Sequence, residues 1–361
     1  MPVTISEDIT GVASINGGQL GGRNYIINGA MLISQRGTSF AAVAHGEYTL
    51  DRWTANDTGA GVFTISQDTD VPNETYENSL KVDCTTADAS IAAGDIYAIQ
   101  QYIEGLNSIP FAMGTSGAVT VTLSFWVKST KTGTFCVALK NADASRGYVS
   151  QYTVSDTNTW ERKTITIPLD QTGTWLRTNG KGLAVMFTLA CGSTRQASSA
   201  DTWEAGNVSA TSSQVNALDS TANNFLITGV QLEEGSTATD FEHRTFGDEL
   251  ALCQRYYEVL GRDPTTYTFS YPNMPAKVAF TNNYLQGHAY HTVKRAAPTV
   301  VLFSRNDTSG KVSLVTNGAD EGNNWAINSG GTVGFHLAVR DGGTHTVGIG
   351  MEYGFTADAE V

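Results

Sequence analysis

The sequence is short of charge. Only 16% of its 361 residues are Asp, Glu, Lys or Arg, where a globular protein usually carries about 25%. Basic residues are the scarcer kind: 22 Lys and Arg against 35 Asp and Glu give a net charge of −13. They occur singly or in pairs such as Arg162-Lys163 and Lys294-Arg295, never as a stripe. A chain with that balance has no general attraction for a polyanion, so no nucleic-acid partner is expected. No apolar run approaches the ~20 residues of a membrane-spanning helix, so no membrane insertion is expected. Met1 to Asp8 have neither the basic start nor the apolar stretch of a signal peptide. That points to synthesis in a cytoplasm.

Cysteine is also sparse. Cys84, Cys136, Cys191 and Cys253 lie 52, 55 and 62 residues apart, too far for a disulfide scaffold or a zinc site. Each has apolar neighbours and reads as a buried thiol. The familiar catalytic signatures are missing: there is no Gly-x-Ser-x-Gly, no Walker loop and no His-Glu-x-x-His. Gly348 to Gly354 has the wrong spacing for a dinucleotide loop. His288 and His291 fall on opposite faces of a strand. No enzyme activity and no cofactor are expected. Two acidic groupings remain. Glu233, Glu234, Asp240 and Glu242 offer the carboxylates that glycoside hydrolysis uses in pairs. Asp68, Asp70 and Glu74 crowd oxygen donors into one turn, which suits a structural calcium ion.

Glycine is plentiful, with 37 residues, and Ser, Thr and Asn crowd the segments between apolar runs. Residues 1–23 are small and glycine-rich; they bury little alone and read as an arm that orders on a partner. Residues 24–245 carry short alternating runs, among them 79–84, 119–127 and 163–169, separated by turn dipeptides such as Asn28-Gly29. That pattern predicts a jelly-roll β-sandwich. Within it, residues 192–223 are rich in Ser, Ala, Thr and Asn and read as an insertion folding over one end or face. Residues 246–261 read as a connector helix. Asp248 and Glu249 suit its first turn, and Leu250, Cys253 and Tyr257 share one stripe. The β pattern returns over 262–361 as a second, smaller β-sandwich, a tip domain. The expected class is all-β.

Tryptophan context is informative. Trp126, in Ser124-Phe125-Trp126-Val127, and Trp53, after Asp51-Arg52, read as core. Trp160 and Trp175 sit at strand edges, Trp203 and Trp325 in polar loops. Exposed rings stack on sugar faces while neighbouring Asn, Asp and Arg bond hydroxyls. These four are therefore candidate carbohydrate-binding residues; packing against their own loops is the competing reading.

Several stretches together resemble a known module. They are Asn24-Tyr25-Ile26-Ile27-Asn28-Gly29, Ser34-Gln35-Arg36-Gly37-Thr38-Ser39-Phe40 and Tyr48-Thr49-Leu50-Asp51-Arg52-Trp53. Leu123 to Ser129, Thr159-Trp160-Glu161, and Phe225 to Gly235 followed by Ala238 to Glu242 continue the series. The set resembles the jelly-roll module of bacteriophage fibre and tail proteins, itself similar to carbohydrate-binding modules appended to glycoside hydrolases. Glu249 to Tyr257 looks like the connector that follows it, and Ala296 to Val300 with Ala357 to Glu360 like its small distal domain. The family usually has an aromatic pair near the Gln-Arg-Gly step. This chain has Leu32-Ile33-Ser34 there, which removes one stacking platform.

The resemblance implies a virion fibre or receptor-binding protein, assembled in the host cytoplasm. The arm would dock on other virion proteins, and the jelly roll would form the body. The tip would be exposed, and a host-surface glycan or receptor would be the partner. It also implies a homotrimer. Trimerisation would bury sheet edges together with Tyr256 and Tyr257, which a lone chain is expected to expose. Two other classes compete. One is a capsid or tail decoration or spacer protein without a sugar site. The other is a polysaccharide depolymerase working through Glu233 or Asp240, though the chain lacks the long β-helical repeat usual for that activity. No catalytic residue transfers.

Overall fold

A computed structural model of the chain describes residues 14–15, 18–19, 22–261, 276–280, 283–304, 306, 308–314, 320–321, 325–340 and 350–360. The arm expected over 1–23 lies mostly outside the described residues, as do parts of the expected tip domain. Two compact units are present. The first comprises Met1–Leu32, Ser39–Tyr48 and Trp53–Arg244; the second comprises Ile33–Thr38, Thr49–Arg52 and Thr245–Val361.

In the first unit, β1 (Ser14–Ile15) pairs with β2 (Gly18–Gln19). Then come β3 (Ser39–Phe40), β4 (Thr54–Asp57), β5 (Val62–Asp68), β6 (Ser79–Thr86), β7 (Ile96–Glu104) and β8 (Thr120–Ser129). They continue with β9 (Gly133–Lys140), β10 (Arg146–Val154), β11 (Glu161–Pro168), β12 (Lys181–Cys191), β13 (Trp203–Ala205) and β14 (Asn224–Glu234). Two six-stranded antiparallel sheets result, ordered β11-β8-β14-β6-β5-β3 and β13-β10-β9-β12-β7-β4. This is the all-β sandwich that the alternating pattern predicts.

The core lies between the sheets. In β8, Val121, Leu123, Phe125 and Val127 alternate inward and are fully buried, each contributing about 1.5–3 kcal/mol. Phe125 meets Phe187 of β12 at 5.0 Å and Tyr152 of β10 at 5.1 Å, both edge-on. Trp53 is buried as expected, its indole N–H donating to the Asn28 carbonyl at 3.1 Å. Trp126 departs from expectation. It follows Phe125 on a strand of period two, so it lies half-buried on the outward face. The insertion after β12 covers the outward face of the other sheet: Val208 and Ala210 pack with Ala98, Ala138, Val149 and Met186.

In the second unit, α1 (Phe246–Gln254) is capped by Thr245, whose hydroxyl accepts the Asp248 N–H. The helix is shorter than its expected span. Tyr257 belongs to β15 (Tyr257–Leu260), where aromatic and β-branched residues favour extended backbone. Next are β16 (Ala276–Phe280), β17 (Asn283–Ala289), β18 (Thr299–Phe303), β19 (Val312–Leu314) and β20 (Asp320–Glu321). The series ends with β21 (Trp325–Gly330), β22 (Gly334–Arg340), β23 (Gly350–Glu352) and β24 (Gly354–Asp358). Their sheets are ordered β15-β24-β18 and β20-β19-β23-β16-β17-β22-β21. Phe355 of β24 meets Phe335 of β22 at 5.1 Å.

The two short N-terminal segments complete this unit through charge. Arg52 lies 3.5 Å over the Tyr256 ring and Arg36 3.6 Å over Tyr257. Both guanidiniums reach the Glu360 carboxylate. Asp51 takes the Gln35 backbone N–H at 2.8 Å, and the Gln35 side chain donates to the Tyr257 carbonyl at 2.8 Å. Tyr256 and Tyr257 are buried by their own chain. That corrects the expectation that a lone chain leaves them exposed for an oligomer interface: the arginines of the second unit cover them.

Candidate functional site

Alternation along β8 sets out one surface. With Phe125 and Val127 facing the core, Ser124, Trp126 and Lys128 face outward from the β11-β8-β14-β6-β5-β3 sheet. Register joins them to neighbours on the same face. Arg162, Trp126 and Thr228 form one row; Lys128, Leu226, Lys81 and Ser66 form the next.

Trp160 precedes β11 and is half-exposed at the edge of this face. Its indole N–H donates to Asp70 Oδ1 at 2.9 Å, while Lys128 Nζ donates to Asp70 Oδ2 at 2.5 Å. Partial burial works to raise the Asp70 carboxyl pKa. The Lys128 and Trp160 hydrogen bonds outweigh it and hold the group below the usual carboxylate range. Asp70 is thus an anionic bridge that fixes both the ring and the ammonium.

A second aromatic group lies on β14. Gly229, with φ +61°, breaks the β8 register there; a Cβ at that position would lie 2.8 Å from the Tyr76 hydroxyl oxygen. Only glycine lets the ring settle onto the strand. The Tyr76 hydroxyl takes a hydrogen bond from the Trp126 side chain, and its ring lies 5.5 Å from Phe241 and 5.4 Å from His243. The loop from Gly235 to His243 is tied along the same face. Arg162 donates to the Thr239 carbonyl at 2.7 Å and Thr122 to the Gly235 carbonyl at 2.8 Å. The face therefore joins partly exposed indoles to a fixed cation and an anion, over a floor of buried residues that includes Ser124, Leu226 and Thr228.

Of the four tryptophans singled out by sequence, Trp160 belongs to this face. Trp175 and Trp203 are brought together elsewhere, ring to ring at 5.4 Å, with Tyr148 at 5.3 Å from Trp203. Their N–H groups are taken by the Thr172 and Pro168 carbonyls at 3.0 and 2.7 Å. Trp203 sits opposite Tyr148 in register, so it continues the inward row past the sheet edge. Trp325 opens β21, and its side chain lies outside the described residues. Sequence reasoning missed Trp126, Tyr76, Lys128 and Arg162. The period-two pattern of β8 was the available signal for the first and third; Tyr76 gave none.

The acidic groupings are occupied. Glu233 is buried: Oε1 takes the Thr239 N–H and the Gln231 amide, both at 2.8 Å, and Oε2 takes the Thr239 hydroxyl at 2.7 Å. Glu242 takes the Asn24 N–H at 2.8 Å and also the Gly22 N–H. Glu234 takes the Tyr25 hydroxyl. Asp240 is exposed and accepts from Arg23 and Gln231 through its main chain. Asp68, Asp70 and Glu74 do not converge. Asp68 accepts the Asp70 N–H at 2.9 Å and faces Lys81 at 3.7 Å, Asp70 holds Lys128, and Glu74 is exposed. No group of three His, Cys, Asp or Glu able to hold a metal occurs among the described residues. His291 bonds Glu258 at 2.7 Å, and Lys294 pairs with the same buried carboxylate.

No family model and no curated protein matches the chain. Solved structures overlap part of it. A putative sugar binding protein from Bacteroides thetaiotaomicron VPI-5482 is 12% identical with a TM-score of 0.34, over 59% of this chain and 100% of that one. A CBM4 structure is 14% identical with a TM-score of 0.31, over 58% of this chain and 98% of that one. The enzymatically active domain of bacteriophage CBA120 tailspike protein 4 is 16% identical with a TM-score of 0.28. That overlap takes in 54% of this chain and 21% of the tailspike.

Proposed function

We propose that the chain is a non-catalytic virion fibre protein whose first unit recognises a host-surface glycan. The observation that carries this is the outward face of the β11-β8-β14-β6-β5-β3 sheet. There Trp160 is fixed by Asp70 beside Lys128, and Trp126 stands in register with Arg162. An indole face offers a sugar ring apolar contact, while the flanking Lys128 and Arg162 cations bond its oxygens. The absence of catalysis is supported by Glu233 and Glu242, whose oxygens are taken by backbone and hydroxyl donors. The fibre role is supported by the resemblance of residues 24–361 to phage fibre modules. It includes attachment to other virion proteins through residues 1–23, homotrimeric assembly and residence on the virion.

A glycan array probed with the full chain tests the glycan reading. Trp160→Ala is expected to lose binding at least tenfold while the melting temperature stays nearly unchanged, because the ring is half-exposed. Undiminished binding by Trp160→Ala overturns this face as the site. An array silent for the wild-type chain favours the spacer reading, which the packed Trp175 and Trp203 rings support. Release of oligosaccharide from a host glycan, abolished by Asp240→Asn, establishes the depolymerase instead.

A further inference from the structure

Residues 206–211, which follow β13, form a strap over the outward face of the β13-β10-β9-β12-β7-β4 sheet. Gly147 makes room for it, since a Cβ there would lie 2.6 Å from Val208 Cγ2. Polar groups fasten it. The Thr211 N–H donates to Cys136 Sγ at 3.4 Å, Gln151 Nε2 to Thr211 Oγ1 at 2.6 Å, and Thr188 Oγ1 to the Ser209 carbonyl at 2.6 Å.

Lys140, the last residue of β9, lies beneath the strap and is 4% exposed. Its Nζ donates to Asn207 Oδ1 at 2.8 Å and Ser209 Oγ at 2.6 Å. Both partners belong to the strap and neither is charged. The ionisable groups around it offer little compensation. Arg195 beside the strap repels it, and Cys191 of β12 favours the charged form only as the smallest of the contributions. Cys136 lies farther along β9. Glu204 of β13 shares its row across Gly147, but that carboxylate bonds Ser198. Tyr102 of β7 lies in the same row beyond Ala184. Among the described residues, no carboxylate bonds this amine.

We propose that the strap is a pH-operated latch, in which proton uptake by Lys140 favours lifting residues 206–211 off the sheet. A charged ammonium sealed under the strap with two neutral acceptors is poorly solvated, and lifting returns it to water. Burial, then repulsion by Arg195, pushes the closed-state amine down to about 7. The lifted amine keeps its ordinary value near ~10.4. Closure therefore gains as pH rises between these values, about tenfold per pH unit, and levels off below the lower one, where both states hold the proton. The latch is separate from the face proposed for glycans and does not depend on it.

Hydrogen exchange of the full chain from pH 7 to 9.5, corrected for intrinsic rates, reads the latch directly. Protection of amides in 206–211 is expected to rise up to about tenfold per unit, while protection in β8 changes less steeply. Lys140→Met and Lys140→Gln are both expected to flatten the rise; the glutamine variant keeps a neutral donor should the methionine variant fold poorly. A flat wild-type profile overturns the proposal. So does the same slope in β8, which would mean global opening, or a slope retained in either variant.

Discussion

At the residue scale, side chains that sequence presents as equivalent differ in what surrounds them. Trp160 and Trp203 both lie in polar stretches, yet Trp203 wedges between Trp175 and Tyr148 while Trp160 rests on a charged bridge. Trp203→Ala should lower unfolding free energy by about 2 kcal/mol, less than the ~3–5 kcal/mol of a fully buried ring because this one is only partly buried. Denaturant melts check this, and an unchanged midpoint would return Trp203 to the surface. Arg52 is 1% exposed and pairs with Glu360. Arg52→Ala leaves that buried carboxylate to Arg36, 3.4 Å away, and should destabilise the chain by about 3 kcal/mol, the low end for breaking a buried pair, read by calorimetry. Asp170 supplies a pH signature. Burial works to raise its carboxyl pKa, but the Arg146 guanidinium, bonded at 2.7 and 2.9 Å, and the Thr172 donors leave it lowered. A depressed carboxyl adds stability above its unfolded value that is lost as pH falls through and below about 4. Arg146→Met should make the stability profile flatter below pH 5.

At the element scale, the sandwich was legible because strands such as β8 and β11 bury one face and leave the other wet, which writes a period of two into the sequence. Residues 192–223 were legible as an insertion, through polar composition over a length that no strand or turn needs. Their grip on the sheet was not, because it rests on Val208, Ala210 and the single glycine at 147. The helix stripe ending at Tyr257 was misleading. Leu250 and Cys253 obey it, but Tyr-Glu-Val-Leu pairs better with β24 than it extends α1. Hidden entirely was the membership of Ile33–Thr38 and Thr49–Arg52 in the second unit. Nothing local in Gln35-Arg36 or Asp51-Arg52 distinguishes a guanidinium seated on a distant tyrosine from one in water. An isolated 245–361 fragment should therefore lack ordered β structure by circular dichroism, whereas the full chain retains it; a well-folded fragment would show the two segments to be dispensable.

At the scale of the whole molecule, the candidate site was partly readable. Trp160 was in view as a strand-edge indole, but its companions Trp126 and Tyr76 are apolar residues in a sequence and become surface only once the register is known. The homotrimer proposed above is expected to give a sedimentation mass at a multiple of 38.5 kDa. A mass equal to one chain at micromolar concentration would remove the assembled fibre.

The interleaving of Arg36 and Arg52 with Glu360 also constrains how the polypeptide is made. A ribosome exposes both guanidiniums early and supplies their carboxylate 308 and 324 residues later. The second unit can therefore be sealed only after Glu360 has emerged, and contacts this far apart in sequence are slow to form. Messages truncated just before codon 360 should yield chains whose first sandwich is intact and whose second unit is open to proteolysis.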